Sequence, residues 1–302
     1  MAVRFIEKDE IDYSLWDKCI SNSLNGELFG YSWYLDMIVD DWGALIEGDY
    51  SAVMPLAYSK RLLYREIISH PLLKHTGIYS QQPVTEEKIE LFLQALPRKF
   101  RKIYICFSRQ NTQAIRKNDE MRSLQVYELD LITPYEKLSR SYSKEVRSML
   151  HRAQANKYSV LRNPSFADLI SFIETGKSAA SKALIVKPLK KILSRMLSKN
   201  KAEILAVYGP ENSLCSIACF VRSNTNVSLL FAHILPEARD RGAGCLLLDT
   251  FLKSYTGRNV TLSLEHIDEN WDEMLYRSFN ALRSYKYCLV RNNLPLPLKW
   301  FL

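Results

Sequence analysis

Two periods of hydrophobic spacing run through the chain, and together they predict most of its elements. Near the start, Trp33, Tyr34, Leu35 and Ile38 cluster at helical spacing, and strand-like apolar runs occupy 51–56 and 102–107. Between those runs Thr85 stands where it can cap a helix, in which Ile89, Phe92, Leu93 and Leu96 recur at one-face spacing until Pro97 ends it. The run 125–132 reads as a strand, and Thr133-Pro134 as a break. Beyond it the pattern predicts one amphipathic helix over 134–156, with Tyr142, Val146, Met149, Leu150 and Ala153 as the apolar stripe. Arg140, Lys144, Arg147 and His151 line another face of that helix. A second helix begins at Pro188, a residue suited to a first turn, and buries Leu189, Ile192, Leu193, Met196 and Leu197. The runs 202–208, 215–222 and 227–234, joined by short turns, predict an antiparallel meander.

Directly after the meander comes a loop with Arg239, Arg241, Gly242, Ala243 and Gly244, and then a buried helix over 245–255. A glycine-rich loop that opens a helix presents unpaired backbone N–H groups and the positive end of the helix dipole. With two arginines beside it, such a loop suits a pyrophosphate. The run 259–266 follows as a strand, then 269–280 as a helix with Met274, Leu275, Ser278, Phe279 and Leu282 facing inward, then 285–291 as a last strand.

The chain is 302 residues long, beyond the usual length of one domain, so two cores are expected. With 47% hydrophobic and 25% charged residues and only 10 Gly and 11 Pro, it falls outside the collagenous and low-complexity classes. It has no apolar run of about 18 residues, so no membrane span is expected. No targeting signal opens the sequence, which points to the cytoplasm. The net charge of +8 is unevenly spread: residues 1–50 sum to −8 and residues 137–201 to +12. One strongly positive surface is therefore expected, able to attract phosphorylated ligands or nucleic acid. The six cysteines are scattered without a CxxC pair, and the expectation is buried free thiols with neither metal nor disulfide.

The order strand, Arg239-x-x-Gly242-x-Gly244, helix, strand, helix, strand resembles the acyl-CoA-binding half of the GNAT N-acetyltransferase superfamily, and Leu275 to Ala281 resembles that superfamily's Phe-Tyr-x-x-Phe-Gly-Ala helix. On the whole-chain scale the basic helix with Lys144, Arg147 and Arg152, together with the box Trp33-Tyr34-Leu35-Asp36, is similar to FemABX-like proteins, which are tandem GNAT folds. The resemblance implies an α/β (α+β) fold of two GNAT-like domains, each a mixed, mostly antiparallel sheet flanked by helices. It divides the chain into 1–134, without a donor loop, and 135–302, with one, leaving 292–302 able to pack back on the first domain. A first half without the donor loop would supply a wall for the acceptor.

The activity implied is N-acyl transfer from a coenzyme A thioester such as acetyl-CoA to a small-molecule or peptide amine. Aminoacyl-tRNA is the alternative donor, as in FemABX-type cell-wall peptide synthesis, and a non-catalytic binding module using the basic 137–201 surface is a further one. The resemblance makes Tyr276 the acid that protonates the leaving group, and on its helix it points about 60° from the Phe279 direction, so it need not be core. Glu265, with His266 beside it, is the nearest candidate base, and a splay between the strands 227–234 and 260–265 would offer backbone groups to the donor carbonyl. Arg239, Arg241, Gly242, Ala243 and Gly244 would hold the donor phosphates. Lys144 and Arg147 would extend that field, toward tRNA if tRNA is the donor, and Trp33, Tyr34 and Asp36 would meet the acceptor. Two departures stand out: Asn280 replaces the family glycine at a position where Asn can adopt the left-handed turn, and 1–134 contains no donor loop.

Overall fold

The computed structural model describes residues 2–174, 182–223, 225–265 and 273–295. The chain divides into two compact units, Met1–Leu124 with Tyr285–Leu302, and Gln125–Ser284. The strands are β1 Val3–Glu7, β2 Asp41–Glu47, β3 Ala52–Lys60, β4 Arg65–Ile67, β5 Tyr79–Ser80, β6 Phe100–Cys106, β7 Met121–Asp130, β8 Ser159–Arg162, β9 Ala202–Tyr208, β10 Leu214–Arg222, β11 Asn226–Ile234, β12 Thr261–Leu264 and β13 Leu282–Asn292. The helices are α1 Tyr13–Asn22, α2 Ser32–Ile38, α3 Glu86–Gln94, α4 Arg109–Ala114, α5 Tyr135–Arg140, α6 Lys144–Ala155, α7 Phe166–Glu174, α8 Lys187–Ser198, α9 Pro236–Arg239, α10 Ala243–Tyr255 and α11 Glu273–Ser278.

In the first unit the sheet order is β1-β2-β3-β4-β6-β13, with β5 paired to β3. All these pairs are antiparallel except β4 with β6, which helix α3 connects. Thr85 caps α3 by accepting from the Lys88 N–H at 3.3 Å, and Ile89 and Phe92 enter the core beside Met54, Leu56, Phe100 and Ile103. The second unit repeats the scheme in the order β7-β12-β11-β10-β9-β8, with one parallel pair, β11 and β12, joined through α10. Each unit is thus a mostly antiparallel mixed sheet flanked by helices. The meander lies where the apolar runs place it. Phe251 on α10 stacks on Phe220 of β10, with ring centroids 3.8 Å apart.

Four expectations are corrected. The helix over 134–156 is two helices, α5 and α6, separated by 141–143. Ser143 explains the break: its hydroxyl accepts from the Val146 N–H and so caps α6, while its own N–H leaves the helical path to reach the Ser278 carbonyl at 3.0 Å. Cys106 and Cys288 are disulfide-bonded rather than free, because β6 and β13 pair antiparallel with these two residues directly opposite; Cys19, Cys215, Cys219 and Cys245 are buried free thiols. Leu282 does not face inward: it is 72% exposed, because α11 ends at Ser278 and Leu282 opens β13. Tyr276, which its helical angle left free to lie outside the core, is within it. Asn280 adopts φ 68°, so the left-handed turn survives the loss of glycine. Among the described residues no helix is long and apolar enough to cross a membrane. The predicted helical stretch 269–272 lies outside the described residues.

Candidate active site

The second unit's parallel pair is short. Asn226, Val227 and Ser228 face Thr261, Leu262 and Ser263, and pairing stops there although β11 runs on to Ile234. On its other side β11 carries a bulge. Phe220 faces Leu229 and Cys219 faces Phe231, which leaves Leu230 as the extra residue. A bulge bends its strand and increases local twist, and this one sits where β11 and β12 diverge. Among the described residues the ladder between β11 and β12 covers only 226–228 of β11. The resemblance implies a splay between these two strands, and their pairing ends there.

The glycine loop follows from the end of β11. Gly242 is the N-cap of α10, in the left-handed region at φ +87°, and no side chain caps the helix. The first intrahelical bond runs from the Leu246 N–H to the Gly242 carbonyl at 2.9 Å, so the amides of Ala243 and Gly244 precede it. Sequence reasoning explained Gly242 by anion access; packing supplies a different reason. A Cβ there would meet the Met149 carbonyl oxygen of α6 at 2.1 Å.

Gly242, Ala243 and Gly244 are buried, Arg239 is half-buried and Arg241 is exposed. Arg241 hydrogen-bonds the phenol of Tyr158, whose pKa burial raises while the guanidinium opposes the rise. Lys144 and Arg147 lie exposed on α6, the helix that touches the loop, and the Arg152 guanidinium donates to the Asp240 carbonyl at 3.4 Å. Arg152 and the glycine loop are therefore brought together, and Lys144 and Arg147 lie on the same helix.

Tyr276 is 1% exposed and packs its ring against Tyr127. Its hydroxyl donates to the Glu265 carbonyl at 3.1 Å, which places it at the end of β12, one leg of the splay. Glu265 itself is half-buried, and His266 lies outside the described residues. In the first unit the aromatic box is largely structural. Trp33 is 8% and Tyr34 0% exposed, and the Tyr34 hydroxyl donates to the Leu72 carbonyl at 2.6 Å. Asp36 accepts from the Trp42 indole at 2.8 Å and from Tyr13, and ion-pairs with Lys8.

Sequence reasoning missed a buried charged cluster in the first unit. Glu27 bonds His75 Nε2, and Lys286 Nζ lies 3.1 Å from His75 Nδ1, all three being 6% exposed or less. No motif signals it, since the three residues stand 48 and 211 positions apart.

No family model and no curated protein matches the sequence. Solved structures do match the fold. FemX superposes over 100% of both chains at 12% identity with a TM-score of 0.64. L-PGS from Bacillus licheniformis matches over 96% of this chain and 95% of its own at 12% identity, TM-score 0.57. A conserved protein of unknown function from Bacteroides thetaiotaomicron covers 94% of this chain and 99% of its own at 10% identity, with the same score of 0.57. The chain therefore shares the fold of FemX over its whole length.

Proposed function

We propose that the second unit transfers an acyl group from an activated donor to an amine nitrogen. The observation that carries this reading is the parallel β11/β12 pair that parts after Ser228 and Ser263, beside a helix N-terminus with no side-chain cap. A donor carbonyl laid in the splay meets backbone N–H groups where its oxygen gains charge, and the phosphates of the donor reach toward Arg239, Arg241 and the first turn of α10. The amine nitrogen then bonds the carbonyl carbon, and the carbon–sulfur bond of a thioester, or the carbon–oxygen bond of an ester, breaks. The leaving atom takes a proton from the Tyr276 hydroxyl, and the amine gives one up to Glu265 or to water. Positioning supplies much of the rate, because each reacting group is fixed by a strand end.

The favoured donor is a coenzyme A thioester and the acceptor a small-molecule or peptide amine, in the cytoplasm. On this reading the donor loop belongs to the second unit, Gln125–Ser284, and acceptor binding draws on the first. Trp33, Tyr34 and Asp36 would act there by shaping the domain, since their polar atoms are engaged within it. A second reading, aminoacyl-tRNA as donor, is favoured by the exposed cations Lys144 and Arg147 beside the loop and by the full-length match to FemX.

Calorimetry with acetyl-CoA and with charged tRNA in parallel separates the two. Micromolar binding of either, weakened by Arg241→Gln, is expected; if neither binds in low salt, the donor site is refuted. With the productive donor, Tyr276→Phe should lower kcat by about 10²-fold or more while KM holds. An unchanged kcat removes Tyr276 from the reaction.

A further inference from the structure

The hairpin between β3 and β4 ends in a feature that folding does not require. Lys60 faces Arg65 across the ladder, the Arg61 N–H bonds the Tyr64 carbonyl at 2.8 Å, and Leu62 and Leu63 form the tip between them. A two-residue tip ordinarily carries Gly, Asn or Asp. Here Leu62 is 99% and Leu63 73% exposed, so neither side chain contributes much to the core.

Cations gather behind the tip. Lys60, Arg61 and Arg65 come from the hairpin itself and Lys99 and Arg101 from beside the start of β6, with the exposed Arg98 next to Lys99 in the chain. Three carboxylates answer these six cations: Asp41 pairs with Lys60, Glu66 with Arg61, and Glu7 with both Arg65 and Lys99. Among the described residues the exposed Arg98 and Arg101 have no ion pair, which leaves the patch positive. The cations are also held at fixed places. Lys99 Nζ lies 4.3 Å from the Phe5 ring centroid, and Arg65 lies 5.4 Å from that of Tyr58.

The geometry points to a docking surface for an anionic lipid bilayer, with Leu62 and Leu63 entering the acyl boundary and the surrounding Lys and Arg meeting lipid phosphates. Chemistry selects this occupant over others. A nucleic acid would be served by the cations but gains nothing from two protruding leucines. A bilayer rewards both at once, because apolar side chains at a convex tip and cations one layer behind match the order of acyl chain and headgroup. Such docking needs no spanning helix.

Flotation with vesicles of phosphatidylcholine, alone or mixed with phosphatidylglycerol, tests this on the full chain at physiological salt. Binding to the mixed vesicles, and little to phosphatidylcholine alone, is expected. Leu62→Ser with Leu63→Ser should weaken it by about tenfold for each leucine, and thermal unfolding should be unchanged because both side chains are solvated. Arg98→Glu with Arg101→Glu should abolish the preference for phosphatidylglycerol. Equal binding to the two vesicle types, or none, overturns the proposal. So does an unweakened leucine double variant, and if tRNA then competes for the same surface, the patch is a nucleic-acid surface instead.

Discussion

Two glycines at opposite ends of α10 make a matched pair for measuring how closely α6 packs on the loop. Gly242 and Gly257 both lie in the left-handed region, at φ +87° and +80°. Alanine at either position pays for that conformation, roughly 1–2 kcal/mol. Their surroundings differ. A Cβ at Gly257 would meet nothing within 4 Å, whereas one at Gly242 would come within 2.1 Å of the Met149 oxygen and 2.8 Å of its carbonyl carbon. Those are backbone atoms inside a helix, so they cannot swing aside as the end of a long side chain can. Relief requires moving α6 or unwinding the first turn of α10, an overpacking cost of about 1–3 kcal/mol. Gly257→Ala should therefore lose about 1–2 kcal/mol and Gly242→Ala about 2–5 kcal/mol. At about 2–4 °C per kcal/mol for a unit of this size, thermal denaturation followed by circular dichroism, with urea titration beside it, resolves the difference. Equal losses for the two variants would refute the close approach of α6. The same clash makes Gly242→Asp a poor probe of donor binding, because it disturbs the fold first; Arg241→Gln tests the donor site without that ambiguity.

Burial alone would raise the Glu7 carboxyl, but hydrogen bonds from Lys99, Tyr58 and Arg65 outweigh it and hold the pKa at about 2, against an ordinary 4.5. A depressed carboxyl adds stability above its unfolded pKa and loses it as pH falls toward the folded one, so this contribution should fade between about 4.5 and about 2. Half-exposure and solvent screening limit it to about 1 kcal/mol or less; the stability advantage of the wild type over Glu7→Gln should be constant above that window and disappear as pH falls through it. Within the buried cluster, Lys286→Met should destabilise by about 3–5 kcal/mol by stranding its partners, and replacing Glu27, His75 and Lys286 together with apolar residues should cost less than that single change; urea titrations decide, and a costlier triple variant would contradict the reasoning. Alkylation of the denatured chain should add four labels before reduction and six after, counted by mass spectrometry, since Cys106 and Cys288 are bonded.

What the sequence made legible was local. The meander, the cap at Thr85, the start at Pro188 and the turn at Asn280 each depend on residues within a few positions of one another, and each is found. The rest depends on register or on partners far along the chain. The break before α6 needs the Ser278 carbonyl, and the disulfide needs a ladder that joins residues 182 apart. Nothing near Gly242 in sequence announces the Met149 carbonyl. Tyr276 was assigned a direction from helical angles alone, but burial is decided by what covers the helix, and there the Tyr127 ring does so. The bulge at Leu230 is likewise invisible in an unbroken apolar run, yet it lies where β11 leaves β12.

The two units share a topology, and the residue that opens the connecting helix differs between them. Each joins the strands of a parallel pair through a helix: β4 and β6 through α3, β11 and β12 through α10. In the first unit the helix begins at Thr85, whose hydroxyl oxygen accepts from the Lys88 amide and so occupies the positive end of the helix with an acceptor of its own. In the second it begins at Gly242, which has no oxygen to offer and stands in a conformation that a threonine would adopt only under strain. A helix capped by its own side chain has less to gain from an anion than one left uncapped, because the amide that would bind the anion is already paired. The missing donor loop in the first half is thus more than a lost motif. Restoring glycine at position 85 would remove the competing cap but not supply the arginines or the bulged, diverging strand, so donor chemistry on the proposed reading belongs to the second unit, where all three occur together.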